Sequence, residues 1–236
     1  MNIKTIFFST LLLLPLAVAA QKNVPSATYI DENNNSVETT SDFTSQAPLP
    51  VDFRANPEGM GDHTPTFEWH FRKEGTTQDV AVRYEANTQY TFMESGTFVV
   101  TLKARFTDSD IPIDSTTIKV TISESRLEFP NAFSPNDDHT NDIYGAKGVN
   151  DPNSPNHYRS IVEFHAYIFN RWGQKLFEWT DVSKGWDGTY KGHPVKEGVY
   201  FVLVKATGAD GREYNIRKDI NLLRGYTEGQ TQNTQP

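Results

Sequence analysis

The chain has 236 residues, with 22 Lys and Arg against 30 Asp and Glu and a formal net charge of −8, a balance that argues against a phosphate-backbone partner. No cysteine is present, which excludes disulfides, thiolate zinc sites, iron–sulfur clusters, a Cys nucleophile and a lipid-modified N-terminal Cys. At 36% hydrophobic and 12% aromatic residues there is apolar material for cores in thin layers, and the length suits one large or two small domains.

Residues 1–20 read as a secretory signal peptide: Lys4 supplies a positive charge, Thr5 to Val18 an apolar run, and Ala17-Val18-Ala19-Ala20 a small-residue cleavage region. That run is too short for a spanning helix, and nothing after it approaches 18 consecutive apolar residues, so no membrane span is expected after cleavage. Residues 21–46 are rich in Asn, Ser, Thr, Asp and Glu and read as a polar linker, lending at most an edge strand. From residue 47 to 125 apolar residues alternate: Val51/Phe53, Phe67/Trp69/Phe71, Val80/Val82/Tyr84, Tyr90/Phe92, Phe98/Val100/Leu102/Ala104 and Ile118/Val120/Ile122. Period two with Gly, Pro, Asn and Asp between the runs predicts an antiparallel sandwich.

A second block, 126–224, has strands expected at Val162 to Phe169, Lys175 to Trp179, Gly198 to Ala206 and Glu213 to Leu223, with turns at Asn170 to Gly173 and Ala209-Asp210-Gly211. It carries 13 basic and 13 acidic residues, whereas residues 21–125 carry 8 basic and 16 acidic, an asymmetry that supports two units. Residues 225–236 read as a disordered tail. The fold class is all-β, two antiparallel β-sandwiches in tandem.

The first block, through Ala47-Pro48-Leu49-Pro50-Val51-Asp52-Phe53 and Tyr90 to Leu102, resembles the PKD domain, an immunoglobulin-like sandwich of secreted proteins. That family's Trp-Asp-Phe-Gly-Asp-Gly motif is here Trp69-His70-Phe71-Arg72-Lys73-Glu74, which keeps the core positions Trp69 and Phe71 and drops the loop carboxylates. The second block carries the motifs Phe129 to Asp142, Ile168-Phe169-Asn170-Arg171-Trp172-Gly173, Gly185-Trp186-Asp187-Gly188-Thr189-Tyr190-Lys191-Gly192 and Val195 to Phe201. In order and spacing these resemble the gliding-motility-associated C-terminal domain, the type B sorting signal of type IX secretion. The resemblance implies export through the inner membrane, then a cell-surface or extracellular location, or else a periplasmic or outer-membrane-associated one, with type IX machinery or cell-envelope proteins as partners. Where that family has Gly, this chain has Asp137 and His139, which implies positive φ borne by those side chains or a different loop path. Members end near the position of Arg224, and twelve residues follow it here.

Four side chains, Asp137, Asp138, Asn141 and Asp142, supply the hard oxygen donors that calcium takes; the alternative is an Asx-rich turn capping its own amides. Trp172, Trp179, Trp186 and Tyr190 suggest either a glycan platform or core residues folded back on the sheet by their turns. Arg171, Lys191 and Arg224 are the candidate partner contacts. The six histidines are scattered, with no His-Glu-x-x-His, nucleophile elbow or phosphate loop, so a non-enzymatic protein is expected. A spacer or protein-binding role is expected for the first sandwich; the alternatives are an envelope or adhesion component that keeps both domains, or a carbohydrate-binding module.

Overall fold

A computed structural model describes residues 22–60, 62–107, 112–149 and 158–225. The signal-peptide segment and all of the tail beyond Gly225 lie outside the described residues. The fold is all-β, and no helix occurs among the described residues. In the first sandwich, a four-stranded antiparallel sheet runs in the order Ser36–Thr39, Ser26–Ile30, Leu49–Arg54, Asn87–Phe92. It faces a five-stranded sheet ordered Phe43–Ser45, Pro112–Ile122, Gly96–Phe106, Pro65–Lys73, Asp79–Arg83, whose first pair is parallel.

Alternation decides what each strand buries. Along Leu49–Arg54, residues Leu49, Val51 and Phe53 point inward and their neighbours outward, and Gly96–Phe106 buries Phe98, Val100, Leu102, Ala104 and Phe106. Phe53 lies 5.7 Å from Trp69 and 5.4 Å from Phe71, ring centre to ring centre, at the middle of this core. Trp69 satisfies its indole N–H on the Glu85 carbonyl at 3.0 Å.

Two expectations are corrected here. Residues 21–46, read as a linker, supply strands to the first sandwich: Ala27 is fully buried, Tyr29 stacks on Phe43 at 4.4 Å, and Asp31 caps the intervening hairpin by accepting the Asn33 and Asn35 amides. Ser36–Thr39 and Phe43–Ser45 are edge strands, which need few apolar residues, and the inner strand Ser26–Ile30 buries only the small Ser26 and Ala27, so sparse composition concealed them. The Val80/Val82/Tyr84 set faces outward, because Phe71, which points inward, pairs with Ala81; Val80 and Tyr84 are exposed.

The second block is built on a five-stranded sheet ordered Ala132–Phe133, Glu213–Leu222, Gly198–Gly208, Ile161–Phe169, Lys175–Trp179. Its inner face packs against two short pairs, Arg126–Leu127 with Tyr158–Arg159 and Tyr144–Gly145 with Gly185–Trp186, and a third pair, Thr189–Tyr190 with His193–Pro194, lies outside this core. Trp186, Tyr144, Ile168, Ile220 and Leu222 fill the core.

The two blocks meet closely. Ala209, at the tip of the hairpin closed by Gly208 and Arg212, is buried in the core of the first sandwich, and Val162 packs against that core. The Ala209 carbonyl accepts the Ser95 amide at 2.9 Å, while the Ser160 hydroxyl accepts the Ala47 amide at 3.2 Å. At the connecting segment, Ser125 donates through its hydroxyl to Asp210 at 2.6 Å, and Asp210 also accepts the Ser125 amide.

Candidate functional site

The loop from Ser134 to Asp142 closes on itself. Asp142 lies at its centre: one carboxylate oxygen accepts the Asn136 and Asp137 amides at 2.8 and 2.9 Å, and the other accepts the His139 amide at 2.8 Å. Asp138 accepts the Thr140 amide and the Asn136 side-chain amide, both at 2.9 Å. These geometries are those of an Asx-rich cap, in which anionic oxygens satisfy amides that the turning backbone cannot pair. Of the four residues read as calcium ligands, Asp138 and Asp142 are thus occupied by the loop, and Asp137 and Asn141 are exposed. Among the described residues no three His, Cys, Asp or Glu side chains form a group able to hold a metal ion. The loop path is settled as well: Asp137, His139 and Asn141 take φ of 64°, 65° and 54°, so the left-handed positions are borne by non-glycine side chains.

A second motif locks onto this loop. Trp186 is fully buried between Phe133 and Tyr200, and its indole N–H donates to the Thr189 carbonyl at 2.7 Å. Asp187 accepts the amide and hydroxyl of Thr189, turning the chain so that Gly188 (φ 76°) passes close to Pro135 and Leu222. Arg224 then ties three segments together: its guanidinium donates to the carbonyls of Pro135 (3.1 Å), Gly188 (3.0 Å) and Val195 (3.1 Å). The Glu197 carboxylate accepts the main-chain amides of Arg224 and Gly225. Arg224, read as a partner contact, is therefore an internal clamp: three carbonyls converge on its guanidinium, and of these the Gly188 carbonyl also accepts the Val195 amide.

Arg171 and Lys191 are both exposed. Arg171 sits over the Trp172 ring, 4.4 Å from its centre, and the Lys191 ammonium lies 5.4 Å from the Tyr190 ring centre. Trp179 and Trp186 are buried, as the core reading of the aromatics expected, whereas Trp172 is 76% exposed. The reason is local. Asn170 accepts the Trp172 and Gln174 amides through its side-chain oxygen, and Gly173 (φ 78°) completes a tight hairpin that holds the indole away from the sheet.

Trp172 lines a cleft of about 620 Å³ between this hairpin and the start of the Gly198–Gly208 strand, together with Arg171, Gln174, Tyr190, Lys196 and Phe201. Gln174 donates to the Tyr190 hydroxyl at 3.1 Å, and Tyr200 donates to the Lys196 carbonyl at 2.7 Å, which fixes both walls. Burial pushes the Tyr200 phenol above its ordinary value, with the nearby charges of Arg224 and Arg171 pulling it back. Sequence reading missed Gln174, Lys196 and Phe201; the available signal was the unbroken apolar run Val199 to Leu203, which places Val199 and Phe201 on the outer face.

Residues 127–218 match the family model of the CHU_C type IX secretion signal domain. No curated protein sequence matches the chain. Among solved structures it is similar to SGBP-B of the Bacteroides ovatus mixed-linkage glucan utilization locus, in complex with a mixed-linkage heptasaccharide (13% identity, 87% of this chain, 48% of that one, TM-score 0.25). It is similar also to dimeric latent PorU from Porphyromonas gingivalis (12% identity, 92% of this chain, 21% of that one, TM-score 0.26). A third is Drosophila N-cadherin EC1-4 (15% identity, 78% and 47%, TM-score 0.24). The chain spans about half the length, or less, of each of these three.

Proposed function

We propose that the protein is exported and delivered to the cell surface or medium by type IX secretion, the second sandwich serving as the sorting and attachment domain. The observation that carries this is the match of residues 127–218 to the type IX secretion signal domain. It gains support from the way the family-like motifs gather at one end of the sheet, where Pro135, Gly188, Val195 and Arg224 are joined by one guanidinium and the Asn170–Gly173 hairpin lines the adjoining cleft. A rigid end of this kind is a recognition surface that survives as a folded unit.

The first sandwich is the PKD-like spacer or protein-binding module, non-enzymatic in this reading. Its support is that His70, paired with Asp79 and Glu68, and His165, paired with Glu178, stand in different sandwiches, each on the outward side of a strand. Ser125 is 5% exposed and held by Asp210 and Tyr214, which favours a sorting domain that stays attached. The test is fractionation and intact mass of the native protein in strains with and without a working type IX machinery. Surface or medium location that depends on the machinery is expected, with the second sandwich retained; an equal periplasmic pool in both strains would refute the export role.

A further inference from the structure

The cleft beside the Asn170–Gly173 hairpin presents one kind of chemistry. Trp172 is 76% exposed while Trp69, Trp179 and Trp186 are at 1%, 6% and 0%. A tryptophan held out by a rigid turn contributes almost nothing to packing, so the indole face that Arg171 does not cover is available to something outside the fold. The hairpin is not loose: the Asn170 amide donates to Gln174, the Gly173 amide to Asn170, and the Asn170 side chain fastens Trp172 and Gln174.

The polar groups around this plate are donors. Arg171 lies over the indole and has no carboxylate partner among the described residues, and the same holds for Lys196. Tyr190 accepts from Gln174, which leaves its own hydroxyl proton to be given outward. The one carboxylate lining the cleft, Glu197, accepts the Arg224 and Gly225 amides on one of its two oxygens. Aromatic faces edged by unsatisfied donors and unpaired cations suit a ligand with apolar ring faces, many oxygen acceptors and negative charge.

We propose that this cleft is a binding site for an acidic saccharide, with a pyranose ring on Trp172 and sugar carboxylates held by Arg171 and Lys196. An extended acidic peptide fits less well. Insertion of a side chain requires a recess, and Trp172 projects. The inference stands apart from the export reading, since it concerns binding by the purified chain.

The experiment is titration of the full chain with tetramers of galacturonate and of mannuronate, with neutral maltotetraose, hexaglutamate and a short oligothymidylate alongside. Calorimetry and tryptophan fluorescence quenching by acrylamide supply the readouts. The expected result is saturable binding of a uronate tetramer that weakens with salt and shields Trp172 from quencher. Trp172→Ala should weaken it about tenfold or more and Trp172→Phe much less, with melting temperature unchanged in both. Arg171→Gln should remove most of the salt dependence. Failure of both uronates to bind would overturn the proposal, as would full affinity in Trp172→Ala. Maltotetraose bound as tightly as the uronates would overturn its acidic character. Hexaglutamate or oligothymidylate bound equally well, and lost with Trp172, would overturn the assignment to a saccharide.

Discussion

Asp137 and His139 occupy the left-handed region that glycine enters without steric cost. His139 is exposed, and its backbone amide donates to Asp142. His139→Gly keeps that amide and relieves the backbone, so a gain of about 0.5–1 kcal/mol is expected in chemical denaturation, less what a freer unfolded chain takes back. Asp142→Ala should do the reverse. Three amides lose an anionic acceptor, a loss of about 2–3 kcal/mol, and millimolar calcium should leave the melting temperature of the natural chain where it was. Sequence alone located this loop through its clustered Asx residues and left two readings open; which one holds depends on where Asp142 aims its oxygens, a matter of φ angles that residue types do not encode. Glu128 offers a pH-dependent counterpart. Hydrogen bonds from Arg126 and then Lys147 hold its carboxyl down at about 2 from an ordinary 4.5. A depressed acid stabilises the folded state above its unfolded value and loses that contribution as pH falls through the folded one. Glu128→Gln should therefore flatten the dependence of melting temperature on pH between about 4.5 and 2 and leave its shape near neutrality unaltered.

At the scale of strands and turns, the alternation in the sequence located nearly every long strand, Lys175–Trp179 to the residue. It failed where both faces or neither carry apolar residues. Val80 and Tyr84 alternate as a buried strand would, yet register with the Pro65–Lys73 strand sends Ala81 inward instead, and pairing register is a property of two strands together. Aromatic residues near turns divide in the same way. Trp186 has the neighbours Phe133 and Tyr200 from distant strands, while Trp172 has only its own hairpin and Arg171. Trp186→Ala should cost about 3–5 kcal/mol and expose the core to dye binding. Trp172→Ala should change stability by about 0.5 kcal/mol or less. Equilibrium denaturation of the two variants measures both, and a large loss for Trp172 would mean that the indole is packed in solution.

For the whole molecule, the charge asymmetry in the sequence separates two blocks, and the cores are separate, but the contact between them was not legible: it is made by Ser95, Ser125, Ser160, Ala47 and Ala209, small residues that look like loop filler. Small size is what allows backbone from one block to approach the other closely. Because Ala209 and Val162 complete the core of the first sandwich, melting of the second exposes part of the first, and a single calorimetric transition is expected. Asp210 is the group to perturb. Burial opposes its charge, but hydrogen bonds from the Ser125 hydroxyl and from the amides of Arg212 and Ser125 outweigh that and hold its carboxyl below the ordinary range. The contribution of this contact is therefore complete above the ordinary carboxylate range and is lost as pH falls through the lowered value. Asp210→Ala removes the acceptor at every pH, leaves Ser125 short of a partner, and should split the transition into two. In the natural chain the Arg126–Leu127 bond is paired with Tyr158–Arg159 and Leu127 is buried, so trypsin should cut there only after the contact opens. Faster cutting at that bond in Asp210→Ala, with the two halves then melting independently, would show that the junction is what makes the tandem one body; an unchanged rate and a single transition would show that the apolar contacts of Ala209 and Val162 suffice.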